Sequence, residues 1–208
     1  RPYPSEWATE VTCSKGTILI RPIRPSDEAL YPTFIDHLSK QDVRFRFFGG
    51  FSHASHEQVA QLTQIDYARA MAFVAIDPET GDLLGVSRMV ADPNYERAEF
   101  AILVRSDRQQ EGIGRTLLSQ LLEYASAEHI DELFGDVLSS NSGMQLLCHA
   151  YGFRRDFSKS DRGENRFVLK MRDFNPDLHR TLHHETTEDP FGDAAGRNQL
   201  RKSSRLDE

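Results

Sequence analysis

Two features of this sequence could do chemistry. The first is the turn Gln109-Gln110-Glu111-Gly112-Ile113-Gly114-Arg115, set between an apolar run and a long helical pattern. Glycines let backbone N–H groups come close to a ligand. A helix N-terminus adds unpaired N–H donors and partial positive charge. Together they can hold a pyrophosphate, and Arg105, Arg108 and Arg115 bring cations to the same stretch. The pattern also fits a turn that only packs a helix tightly on a strand. Two known phosphate loops are excluded: GxxxxGK[ST] is absent, and the third glycine of GxGxxG would fall on Leu117. The second feature is Glu99, a carboxylate in the otherwise apolar run Ala98 to Val104. A carboxylate beside an apolar wall is a better base; a solvent-facing Glu at the start of a strand is the other reading.

The elements that would position these groups follow from pattern. Thr17 to Ile23 reads as a strand. Ser26 reads as an N-cap, with Asp27 and Glu28 in the first turn and Leu30, Phe34, Ile35 and Leu38 at helical spacing. Arg44 to Phe48 is a basic-aromatic cluster ended by Gly49-Gly50, and Ser55 caps a helix carrying Val59 and Leu62. Met71–Ile76 and Leu83–Val90 form a hairpin around Asp77-Pro78-Glu79-Thr80-Gly81-Asp82, and Ala98–Val104 is a third strand. Alternation places Glu99, Ala101 and Leu103 on one of its faces and Phe100, Ile102 and Val104 on the other.

A helix from Gly112 to about Glu128 carries Ile113, Leu117, Leu118, Leu121, Leu122 and Ala125 in one stripe. Leu133–Leu138 is a strand, Asn141–Tyr151 a helix closed by Gly152, and Phe153–Phe157 and Arg166–Met171 the last strands. Mixed strands and helices in this order imply an α/β domain, a mixed, mostly antiparallel sheet flanked by helices. Residues 1–15 read as an irregular leader, 16–172 as the domain, and 173–208, broken by Pro176, Pro190, Gly192 and Gly196, as a polar tail expected to be disordered.

Composition narrows the function classes. The 208 residues exceed one domain of about 150. No apolar run approaches the ~20 residues of a membrane-spanning helix, and no signal peptide is visible, so no membrane partner is expected. A net charge of −7 disfavours nucleic acid. Two cysteines, Cys13 and Cys148, are too few for a disulfide framework, which fits a cytoplasmic protein. His53 and His56, and His179, His183 and His184, lack the further ligands a metal site needs, so no metal is expected.

Context sharpens the turn. Gln109-x-x-Gly112-x-Gly114, after a strand and before a helix, resembles the acyl-CoA-binding motif of the GNAT superfamily of N-acyltransferases. The strand 133–138, then Asn141, a helix and Tyr151-Gly152-Phe153, is similar to that family's second motif. Upstream, Leu19 to Asp27, Arg44 to Phe48 and Leu62 to Tyr67 resemble the Pat-type protein lysine acetyltransferases, over about residues 16 to 172. Such domains are often fused to an NDP-forming acyl-CoA synthetase-like region. Arg1-Pro2-Tyr3-Pro4, without an initial Met, looks like a linker leaving one.

The resemblance implies acetyl-CoA as co-substrate, no metal, and a protein lysine as acceptor, on acetyl-CoA synthetase in relatives. It implies that backbone amides of Gln109, Gln110, Glu111, Gly112, Ile113, Gly114 and Arg115 cradle the pyrophosphate. Glu99, at the family's Ala-Glu-x-Ala position, is the general base. N–H groups around Leu103 and Val104 meet the acyl carbonyl and the pantetheine, and Asn141 meets the CoA arm or serves as a plain N-cap. Many relatives carry a tyrosine acid four residues before the final Gly-Phe; here Cys148 stands there, with Tyr151 on a neighbouring face. Asp66 and Tyr67 line the acceptor side or form a turn before strand 71–76. A GNAT acetylating a small amine, and an acyl-CoA sensor without turnover, are the alternatives.

Overall fold

Alternation starts the sheet. In Gly16–Pro22 (β2), Ile18, Ile20 and Pro22 are buried while Thr17 is exposed. Each buried apolar side chain of this size contributes about 1.5–3 kcal/mol. The computed structural model describes residues 1–39, 55–161 and 163–177. The Arg44–Phe48 cluster, His53, the tail histidines and residues 178–208 lie outside the described residues.

The leader differs from expectation. Thr9–Cys13 (β1) pairs antiparallel with β2, and Gly16, at a φ of 131°, closes the turn. Val11 and Cys13 pack partly buried against the main core, a period-two signal too short to stand out behind Pro2 and Pro4. Ser26 is likewise not the cap. A 3-10 turn spans Pro25–Leu30 before a short helix, Tyr31–Asp36 (α1). Asp27 is the residue that closes it: its carboxylate accepts from Arg24 N at 2.7 Å and from the Arg21 guanidinium at 2.6 and 2.8 Å. Ser55 does cap His56–Thr63 (α2), accepting from Gln58 N while Gln58 Oε1 accepts from Ser55 N.

Then come Ala70–Ile76 (β3), Leu83–Ala91 (β4), Arg97–Val104 (β5), Ile113–Ala127 (α3), Glu132–Leu138 (β6), Ser142–Ala150 (α4), Arg154–Asp156 (β7) and Glu164–Lys170 (β8). The eight strands form one sheet, ordered β1-β2-β3-β4-β5-β6-β8-β7. Every neighbouring pair is antiparallel except β5 with β6. The expected mixed, mostly antiparallel α/β architecture is the one observed.

Each face has its own core. On one, Phe73, Phe100, Leu133 and Phe167 pack against Leu117, Leu118 and Leu121 of α3 and Cys148 of α4. On the other, Ile23, Ala72, Val74 and Val86 pack with Tyr31 and Phe34 of α1 and Val59 and Leu62 of α2. Glu99, Ala101 and Leu103 share the α1/α2 face by alternation, and Leu103 packs against that second core.

Candidate active site

The parallel pair β5/β6 is short. It holds only at Arg97–Glu132, Ala98–Leu133 and Glu99–Phe134. Beyond that β5 runs on to Val104 and β6 to Leu138, but β6 pairs only with β8. The strands diverge at Gly135, where a Cβ would lie 2.6 Å from the Phe100 ring and 2.8 Å from Phe100 O. A wedge-shaped opening follows.

Its β5 wall has a defined polarity. The ladder to β4 is unbroken from Asp92 N–H on Arg97 O (2.8 Å) to Arg105 N–H on Leu84 O (2.8 Å). Alternation then turns the backbone groups of Leu103 toward β4, and those of Phe100, Ile102 and Val104 toward the opening. Leu103, expected as a backbone donor alongside Val104, therefore has its N–H committed to the sheet, and the N–H groups that face the opening are those of Ile102 and Val104.

The glycine turn sits at the mouth of this wedge. Gln110 (φ 65°) and Gly112 (φ 92°) both occupy the left-handed region, and Gly112 is the cap from which α3 starts. Thr116 donates to Gly112 O through its N–H (3.0 Å) and its hydroxyl (2.9 Å). Buried Ile113, Leu117 and Leu118 hold the helix against the sheet. Gly114 lies over the wall: a Cβ there would be 3.7 Å from Val104 Cγ2 and 4.0 Å from the Met144 methyl of α4. Gln109 is exposed and Arg115 partly so, and no carboxylate pairs with Arg115 among the described residues.

Glu111 anchors the turn from below. Its carbonyl accepts from Ser14 N at 3.3 Å, and its buried carboxylate pairs with Lys15 (2.7 Å) and Arg108 (2.6 Å). Burial would push this carboxyl up, but the bonds from Lys15 and Arg108 outweigh it and hold the group below its ordinary value. The β1–β2 turn, expected to be leader, is thus part of the site's foundation. The expected convergence of three arginines fails for two of them. Arg108 is taken by Glu111 and, at 3.6 Å, Asp77. Arg105 is taken by Asp107 at 2.8 Å and Asp82 at 3.6 Å. Their carboxylate partners come from the same loop and from the β3–β4 hairpin, close in space and ready to neutralise them.

On the far wall, Asn141 caps α4, its Oδ1 accepting from Met144 N at 3.0 Å. Cys148 is fully buried, and burial pushes its thiol up to about 12, out of reach as an acid or base. Tyr151 is buried too, and its hydroxyl donates to Arg115 O at 3.4 Å. Asp66 and Tyr67 form a turn: Asp66 Oδ1 accepts from Ala68 N (2.9 Å), and the Tyr67 hydroxyl donates to Ile23 O (2.6 Å).

Glu99 stands at the last paired rung, exposed, where β5 and β6 part. Across β4 it faces Val90, which is 42% exposed; across β6 it faces Phe134. The guanidinium carbons of Arg97 and Arg166 each lie 4.7 Å from the Phe134 ring centroid. Arg166 binds Asp136 at 2.7 and 2.8 Å and also feels the charge of Glu99. Glu132 pairs with Arg97 and Lys170. One residue on this face escaped the sequence reading. Arg88 lies opposite Ala101, one step along the face from Glu99, and is half-buried with its Nε unpartnered. The available signal was a lone charge in the apolar run Leu83–Val90.

Comparison with known proteins identifies the family and the fold. A model of the acetyltransferase (GNAT) domain matches residues 17–154. An acetyltransferase from Pseudomonas aeruginosa is 34% identical over 156 residues, covering 73% of this chain and 84% of that protein. Among solved structures, the GNAT domain of S. lividans PAT is similar with a TM-score of 0.72 at 24% identity, over 81% of this chain and 99% of that one. A spermidine N-acetyltransferase from Vibrio cholerae, in complex with CoA and spermine, gives a TM-score of 0.61 at 17% identity, over 74% and 96%. With a splayed parallel strand pair, a glycine cap at its mouth and these relatives, the chain belongs to the GNAT acetyltransferase family.

Proposed function

We propose that this protein moves an acetyl group from acetyl-CoA to the side-chain amine of a lysine on a protein, in the manner of the Pat-type enzymes. The observation that carries this reading is the position of Glu99. It is an exposed carboxylate on the rung where β5 and β6 separate, on the face opposite α3. Co-substrate entering past the α3 N-terminus and acceptor arriving from the α1/α2 face would meet there.

The turn Gln109–Arg115 holds the pyrophosphate through its backbone N–H groups, with Gly112 supplying the left-handed cap. The wedge takes the pantetheine, and the N–H groups of Ile102 and Val104 line it. One of them donates to the thioester carbonyl as charge builds on its oxygen. Asn141, at the head of α4, borders the CoA arm.

A lysine amine with a pKa near ~10.4 must lose a proton before it attacks. Glu99 accepts it, directly or through a water. The amine nitrogen bonds to the carbonyl carbon, the C–S bond breaks, and the electron pair leaves on the CoA thiolate. The thiolate takes a proton from water or from the incoming amine, since Cys148 is buried with a raised pKa and Tyr151 is buried against Arg115 O. Glu99→Gln is expected to lower the turnover of acetyl transfer by about 10²–10⁴-fold while acetyl-CoA still binds. Undiminished transfer by a folded Glu99→Gln protein removes Glu99 from the base role.

The acceptor class is read by incubating the protein with radiolabelled acetyl-CoA, a cell lysate and a panel of free amines. Label on proteins, acetyl-CoA synthetase among them, supports the lysine reading. Label on polyamines alone supports a small-molecule acetyltransferase, the alternative suggested by the likeness to the spermidine enzyme. Binding without any turnover supports a sensor.

A further inference from the structure

Arg88 is an anomaly that acetyl transfer does not use. It sits mid-strand in β4, on the face shared by Glu99, Ala101, Val86 and the α1/α2 core. It is half-buried, and burial lowers its pKa below the ordinary guanidinium value, with only the nearby Tyr31 acting in the other direction. Its Nε is buried, and among the described residues that atom has no hydrogen-bond partner and the guanidinium no ion pair.

Four of the arginines around the opening have a counter-ion: Arg105 has Asp107, Arg108 has Glu111, Arg166 has Asp136 and Arg97 has Glu132. Among the described residues Arg115, at the glycine turn, has none, and Arg88 differs from it in lying mid-strand on the Glu99 face with its Nε buried. The carboxylate near Tyr31, Asp27, is already bound twice by Arg21 and once by Arg24 N. A desolvated cation without an anion is costly, and such groups are ordinarily paired. Beside it lies Tyr31, whose ring is buried in the second core and whose hydroxyl makes no hydrogen bond within the described fold. A guanidinium fork next to a phenol hydroxyl is a donor set matched to a carboxylate.

We propose that Arg88, with Tyr31 beside it, binds a carboxylate carried by a substrate. The inference rests on the acyl-transfer reading of the wedge. Arg88 lies opposite Ala101 and Glu99 opposite Val90, so the two are diagonal neighbours across β4 and β5, about 7–8 Å apart at their bases. An anion held by Arg88 would therefore lie within one short chain of the reacting carbonyl. Two sources offer such an anion: the distal carboxylate of a dicarboxylic acyl group, as in succinyl-CoA, or an acidic side chain next to the acceptor amine.

The test uses the whole chain, as wild type, Arg88→Met and Arg88→Lys. Affinities for acetyl-CoA and succinyl-CoA are measured by calorimetry. KM and kcat are measured on two lysine peptides that differ only in a glutamate or glutamine beside the lysine. If the acyl group supplies the anion, wild type prefers succinyl-CoA by about 10- to 100-fold, Arg88→Met loses that preference, and Arg88→Lys recovers part of it. If the acceptor supplies it, the two acyl-CoAs bind alike and the glutamate peptide has the lower KM. That advantage then vanishes in Arg88→Met and returns in part in Arg88→Lys. The proposal is overturned if Arg88→Met, folded by thermal melt, treats charged and neutral members of both pairs as wild type does. Failure of wild type to bind either acyl-CoA overturns the acyl-transfer reading itself, and this proposal with it.

Discussion

The two sides of the wedge treat arginine in opposite ways. At the glycine turn, Arg105 and Arg108 are locked to carboxylates of their own loop and of the β3–β4 hairpin. They hold the loop's shape and carry little net charge toward the opening, which leaves Arg115, the backbone N–H groups and the helix terminus as the positive groups of the turn. On the α1/α2 face, Arg88 has no such partner among the described residues. The same residue type is scaffold in one region and open valence in the other, and only the pairing tells which.

Removing the charges separates the two. The largest loss of stability is expected for Arg108→Met, which leaves the buried Glu111 carboxylate with Lys15 alone. Unfolding in urea should show a loss of about 2–3 kcal/mol, the cost of breaking a buried pair discounted for the remaining lysine. Acetyl-CoA affinity should fall with it, because the Glu111 carbonyl and carboxylate fix the turn. Gly135→Ala comes next. A methyl group at 2.6 Å from the Phe100 ring and 2.8 Å from its carbonyl must push the strands apart or displace a buried ring, at about 1–3 kcal/mol. Thermal unfolding gives the size, and a parallel loss of acetyl-CoA binding would show that the wedge had moved.

A smaller effect should appear in acid. The Glu111 carboxyl is held below its ordinary 4.5 in the folded protein, so the stability it contributes is complete above that value. It drains away as pH falls through the lower, folded value. Stability of Glu111→Gln should thus fall less steeply than wild type below about pH 4.5, as read from urea midpoints. Smallest of all is Arg88→Met: with no ion pair to break and a desolvated charge removed, stability should stay within about 0.5 kcal/mol or rise. A loss comparable to that of Arg108→Met would erase the contrast between the two sides.

Much of this arrangement was legible in the chain. The α3 stripe, the glycine at a left-handed cap and the lone carboxylate of β5 are local patterns, and each lies where its spacing said. What was not legible depended on contacts distant in sequence. Nothing in Asp77 or Asp82 announces a partner in Arg108 or Arg105; the hairpin has to fold back first. Ser26 looked the better cap, yet Asp27 won because Arg21 of β2 waits beside it. β1 was obscured by its length and by the prolines before it. The direction of the Leu103 N–H follows only from the register with β4, which no single strand reveals. Arg88 was visible as a charge among apolar residues, but its lack of a partner is a property of the whole face.

Gly135 has a consequence for how such a protein could change. The aperture between β5 and β6 is set by subtraction, by one methyl group that is not there. Position 135 lies buried at the fork of the strands, and a side chain there would decide how far the cleft can gape. Selectivity for acyl length could drift through this buried site with every contacting residue left as it is.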